Sequence, residues 1–305
     1  MKVRSVFSLV VLSLFILGCG KKGPPTLKAF EKPVPPSGLT AVHREDAVIL
    51  SWSYPDDMRQ KLKGFPILRS ANNGFEKIAF VSNDSGSYHD RNFKVDGTYR
   101  YKVVAESLKE VLGNDSDAIT VTPKSPPPPP GHVRFGVKSD FIEFSWDGSG
   151  KDVCYNMYRS FEKRTYGATP LNTEPLCGLS FRDTLLSPEK SVYYQVRALL
   201  NTKILDEGYP SPEIEVGPSD FVPSPPSDLR IVRDEDKIFL IWRESPEWWI
   251  KGYRVYRKRE GDPGFTQMGE VKTPTFTDIE RTGRKIRYMI RAVGPVSESA
   301  PLEGE

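Results

Sequence analysis

Cysteine and histidine are scarce in this chain, at three each in 305 residues. Cys19, Cys154 and Cys177 lack the close spacing of metal ligands, and His43, His89 and His132 adjoin no nucleophile motif. There is no nucleophile elbow, no phosphate-cradling glycine loop and no HExxH pair, so the sequence points to no catalytic residue, metal or cofactor. Excess charge is missing too: 43 Lys and Arg are interspersed with 40 Asp and Glu. Without a basic face to neutralise phosphates, nucleic acid is excluded as a partner. Paired acids such as Asp56-Asp57 and Asp234-Glu235-Asp236 fall in expected turns and read as solvated. No Arg-Gly-Asp tripeptide supports integrin-type adhesion.

Long apolar runs are absent as well. Val6 to Leu17 is a run of 12 residues, short of the roughly 20 that span a bilayer as a helix. Lys2 and Arg4 precede it, and Gly18-Cys19 follows, which is the layout of a signal peptide. The stretch Ile16-Leu17-Gly18-Cys19 resembles the lipobox of bacterial lipoproteins. That resemblance implies cleavage before Cys19, a lipid on its thiol and a membrane anchor. Gly20 stands where an Asp would retain such a protein at the inner membrane, so the outer membrane is expected. Removing the first 18 of 305 residues leaves 287 and takes the net charge from +3 to +1. That length suggests two or three domains.

Repetition settles the number at three. Prolines open each copy: Pro33-Val34-Pro35-Pro36, Pro126 to Pro130, and Pro223-Ser224-Pro225-Pro226. An alternating strand follows, ending in Trp52, Trp146 or Trp242, which lie 94 and 96 residues apart. Val48 and Leu50, Ile142 and Phe144, and Ile238 and Leu240 share the tryptophan face, because strand side chains alternate. Next come Gly64 to Arg69, Cys154 to Arg159 and Gly252 to Arg257. An aromatic-x-Asp signal then ends at Asp90, Asp183 and Asp278, read as turn formers. Finally Tyr101, Tyr194 and Tyr288 each stand four residues before an alanine.

This order resembles the fibronectin type III family, an antiparallel two-sheet sandwich. The resemblance implies an all-β chain of three tandem sandwiches at 36–123, 127–218 and 223–305, after a signal peptide at 1–18 and a proline-rich tether at 19–35. It implies that Trp52, Trp146 and Trp242 fill the cores. It also implies that Tyr101, Tyr194 and Tyr288 turn their rings inward and bond their hydroxyls to nearby backbone. Two departures stand out. The middle copy carries Cys154 where its neighbours have glycine, and the resemblance places Cys177 at the same pole. An exported chain makes a bond between them the expectation. The last copy has only Leu302 to Glu305 left for its final strand, so that edge is expected to be short.

Pro126 to Pro130 reads as a stiff spacer, with the least protected backbone expected near Lys124 and Asp220. The start Cys19-Gly20-Lys21-Lys22-Gly23-Pro24 resembles a family of very small outer-membrane lipoproteins linked to maturation of the lipopolysaccharide translocon. That implies an alternative role as an accessory factor for outer-membrane assembly. Pro246-Glu247-Trp248-Trp249-Ile250, in the loop between the second and third strands of the last copy, leaves Trp248 and Trp249 as candidate contact residues for an envelope protein or glycan.

Overall fold

The computed structural model describes residues 32–72, 74–281 and 284–305. The expectations for Cys19, the signal peptide and most of the tether lie outside the described residues. Within them the chain is built from strands, and the one α-helix, Asp56–Arg59, is a single turn.

Domain 1 contains β1 (Ser37–Arg44), β2 (Ala47–Ser53), β3 (Leu62–Ser70), β4 (Glu76–Ser82), β5 (Ser87–Asp90), β6 (Tyr99–Ser107), β7 (Leu112–Asp115) and β8 (Ile119–Val121). One sheet runs β1-β2-β5, and the other runs β4-β3-β6-β7 with β8 also on β6. Domain 2 repeats the plan with β9 (Gly131–Val137), β10 (Ile142–Asp147), β11 (Val153–Ser160), β12 (Ser180–Asp183), β13 (Val192–Leu200), β14 (Asp206–Pro210) and β15 (Ile214–Val216). Domain 3 repeats it again with β16 (Ser227–Asp234), β17 (Lys237–Arg243), β18 (Gly252–Arg259), β19 (Thr266–Val271), β20 (Thr275–Ile279), β21 (Ile286–Val293) and β22 (Leu302–Gly304). The final strand β22 is three residues long and pairs with β21.

Each sandwich buries the alternating face of its second strand, and the tryptophan closes one end of the core. Trp52 meets Phe65 edge-on at 5.6 Å, Trp146 meets Tyr155 at 5.3 Å, and Trp242 meets Tyr253 at 5.4 Å. The aromatic partner is always the residue after the Gly or Cys near the start of the third strand. A side chain added at Gly64 or Gly252 would strike the backbone of Val81 or Val271 on the adjoining strand. Domain 2 has no such adjoining strand, and that freedom lets Cys154 occupy the position.

The proline runs do not behave as free spacers, which corrects the expectation for Pro126 to Pro130. Pro127 and Pro130 are buried, and the Pro127 carbonyl lies so close to Gly208 on β14 that a Cβ there would clash. The same close approach recurs between Pro33 and Gly113 and between Pro223 and Gly294. Each proline segment therefore packs against its own sandwich, beside Gly113 on β7, Gly208 on β14 or Gly294 just after β21.

Candidate functional site: two dissimilar joints

Domains 1 and 2 share a sheet. The edge strand β1 pairs in parallel with β14, matching His43 to Asp206 and Arg44 to Glu207, so one seven-stranded sheet runs through both domains. Ile204, in the loop before β14, sits in the core of domain 1. Charged groups fill the joint. His43 and Asp206 are 1 % and 0 % exposed, with His43 Nδ1 2.7 Å from Asp206 Oδ1. The ionised carboxylate only accepts, so His43 holds its proton on Nδ1. Asp206 also accepts from the Lys124 backbone N–H and the Thr202 hydroxyl. Burial by itself would raise its pKa, but these three donors outweigh burial and hold it below the ordinary aspartate value.

Beside it, Glu207 accepts from Arg44, from the Tyr158 hydroxyl at 2.7 Å and from Asn156 at 2.8 Å. Arg197 bridges to Glu45 at 2.6 Å. Burial and the Glu207 carboxylate push the Tyr158 phenol well above its usual pKa, so it stays a donor. These contacts correct the expectation of exposed backbone at Lys124. They also correct the picture of independently hung sandwiches: an edge strand with unpaired backbone groups is costly, and β14 covers part of that edge on β1.

The joint between domains 2 and 3 is apolar. Trp249, 6 % exposed, packs edge-on against the fully buried Phe221 at 5.3 Å within the core of domain 2. Ile250 touches the cores of both domains. Asp220 caps a short turn by accepting from the Gly217 N–H, so the backbone there is also held, another correction. The two loop tryptophans thus part company. Trp249 is committed to packing in the joint and shows only an edge to solvent, whereas Trp248 projects at 67 % exposure. Trp248 borders a cleft of about 410 Å3 that Trp249 also lines, together with Pro188, Glu189, Pro218, Lys251, Pro295 and Val296.

The recurring Tyr, Asp and Arg positions of the repeat form a triad in every domain. Tyr101, Tyr194 and Tyr288 are fully buried, as are Trp52, Trp146 and Trp242 or nearly so. The tyrosine hydroxyls do not bond backbone, as the family resemblance implied. They donate to Asp90, Asp183 and Asp278 at 2.7, 2.8 and 2.7 Å. Arg69, Arg159 and Arg257 pair with the same three carboxylates. A carboxylate in the sandwich wall supplies a stronger, charge-assisted acceptor than a carbonyl. Asp90 and Asp183 also accept the backbone N–H two residues on, so the turn-forming role holds alongside the triad. Burial, joined by the nearby carboxylate, pushes all three phenols well above their usual pKa.

Cys154, at the start of β11, and Cys177, just before β12, are joined by a disulfide. His89 is exposed, and His132 pairs with Asp147 on the surface. Among the described residues no cluster of three His, Cys, Asp or Glu could hold a metal ion, and no helix is long and apolar enough to cross a membrane.

No family model and no curated protein matches the chain. Among solved structures, the FN1–FN3 domains of chicken CNTN1 align over 89 % of this chain and 98 % of theirs, at 17 % identity and a TM-score of 0.26. A two-domain fibronectin type III segment of chicken tenascin aligns over 57 % of this chain and 97 % of its own, at 14 % identity and a TM-score of 0.42. The fold is fibronectin type III-like. That assignment rests on the strand order and on the two-sheet pairing repeated three times.

Proposed function

We propose that this chain is a non-enzymatic binding scaffold of the bacterial envelope, held to the outer membrane by a lipid on Cys19. The reading of the anchor is supported by the Leu17-Gly18-Cys19 motif after a short apolar run. The single observation that carries the binding reading is Trp248, a large ring left in solvent at the rim of an interdomain cleft. Tryptophan concentrates binding energy when a partner desolvates it. The cleft walls are mainly proline, valine and tryptophan, with Glu189 and Lys251 as the charged members, and the Lys251 ammonium donates to the Pro295 carbonyl. So few free polar groups suit an apolar protein segment better than a glycan, whose hydroxyls each need a partner.

Replacing Cys19 with alanine is expected to leave uncleaved precursor and to abolish fatty-acid labelling in cells. A variant that is still processed and labelled would end the lipoprotein reading.

In-cell cross-linking with mass spectrometry tests the cleft. Trp248→Ala is expected to weaken partner recovery at least tenfold, since a hot spot contributes ~2 kcal/mol or more. Its stability should shift by less than about 0.5 kcal/mol, as for other exposed positions. Trp249→Ala is expected to behave oppositely, costing roughly 3 to 5 kcal/mol through the cavity it leaves beside Phe221. Unchanged recovery with Trp248→Ala would defeat the binding reading.

A further inference from the structure

The connection from β11 to β12 in domain 2 replaces the extra strand that its neighbours have, and it does more than link. Residues 161–179 run as a strap. Arg164 N–H and the Tyr166 hydroxyl reach Glu213, between β14 and β15, at 2.7 and 3.0 Å. The Ala168 carbonyl accepts from Arg44 of domain 1 at 3.1 Å. The chain then returns along β11, where Leu171 N–H bonds the Met157 carbonyl and Leu176 pairs with Tyr155. Cys177 closes it onto Cys154.

The strap explains an anomaly in burial. Asn156, Tyr158, Arg197 and Leu199 alternate with the core residues of β11 and β13, so they belong to the outer face of the sheet, yet all are buried. The face they share continues into domain 1. Successive strand partners form one row across the sheet, from Cys154 to Leu199, Glu207 and Arg44. The disulfide at one end of the row and the arginine at the other hold the same strap.

We propose that the Cys154–Cys177 bond is a redox-set clasp on the joint between domains 1 and 2, closed when oxidised and loosened when a dithiol reduces it. Cys177 is exposed and Cys154 is buried, so attack falls on the Cys177 sulfur. A thiolate of the dithiol bonds that sulfur and expels the Cys154 thiolate. The second thiol, as thiolate, then attacks the mixed disulfide, closes the reductant's own disulfide and expels Cys177. Two electrons pass to the cysteine pair, and each expelled thiolate takes up a proton. The released strap keeps its local backbone bonds but loses the covalent stop that holds its return leg. Its grip on Arg44 then weakens with it.

The test is amide hydrogen exchange on the full chain in detergent micelles, oxidised and after reduction with dithiothreitol. Amides at residues 43–45 and 206–207 are expected to exchange about tenfold faster when reduced, while those of β17 and β21 stay unchanged. A Cys154→Ser, Cys177→Ser double variant should reproduce the reduced pattern without reductant. In Arg44→Met the clasp has no second end, so reduction should add little at the joint. Faster exchange confined to residues 161–179 would overturn the proposal. So would loss of protection across all of domain 2 together, or an undiminished effect of reduction in Arg44→Met.

Discussion

Asp278→Ala is expected to unfold domain 3 while leaving domains 1 and 2 folded. The carboxylate is buried and accepts both the Tyr288 hydroxyl at 2.7 Å and the Arg257 guanidinium at 2.8 Å. Removing it takes away the acceptor that the Tyr288 hydroxyl uses and leaves Arg257, whose side chain is 12 % exposed, with only the longer contact to Glu280 at 3.6 Å. Breaking a buried pair by deleting one partner costs roughly 3 to 5 kcal/mol. Trp242→Ala, which empties the end of the same core, should cost a similar roughly 3 to 5 kcal/mol. Either loss is a large share of the ~5 to 15 kcal/mol that holds a domain together. Asp278→Asn keeps the volume and one acceptor and should cost clearly less. Thermal unfolding followed by domain-resolved amide exchange checks this. A variant whose domain 3 melts within a few degrees of wild type would show the triad to be ornamental.

The triad also shows where sequence reading succeeds and where it stops. The alternating strands into Trp52, Trp146 and Trp242, and the inward Tyr101, Tyr194 and Tyr288, are periodic and local, so each is visible in a short window. The hydroxyl's partner was within reach too. Asp and Tyr recur 10 or 11 residues apart in all three copies, and an arginine ends the third-strand motif in each. Three residue types recurring together carry more information than an aspartate read as a turn former. The joint between domains 1 and 2 had no such signal. His43 and Asp206 are 163 residues apart, and their contact depends on which strand edge happens to be covered. Trp248 and Trp249 illustrate the same limit at close range. Both are loop tryptophans in sequence, and only the position of Phe221 decides that one is buried.

The covered edge leads to the second large effect. Glu207→Ala is expected to uncouple domain 1 from domain 2, because it leaves Arg44 without its carboxylate and Tyr158 and Asn156 without their acceptor at a 1 % exposed position. The same rule for broken buried pairs gives roughly 3 to 5 kcal/mol. Unlike the strain on a single core, this loss should appear as a split of one cooperative domain 1–2 transition into two. Acid should act on the neighbouring carboxylate in a definite direction. Asp206 sits below its ordinary value of 3.8 because the donors from His43, Thr202 and Lys124 outweigh burial. A depressed pKa means the unfolded chain binds the proton first, so the stabilisation is complete above about pH 5 and fades as pH falls below 3.8. Asp206→Asn lacks the charge at every pH, so its deficit against wild type should be full near neutrality and shrink steadily towards pH 3. Melting the chain across that range resolves the question. A deficit that stays constant down to pH 3 would mean that the carboxylate holds the joint by shape alone, and that its charge contributes nothing to keeping the two sandwiches together.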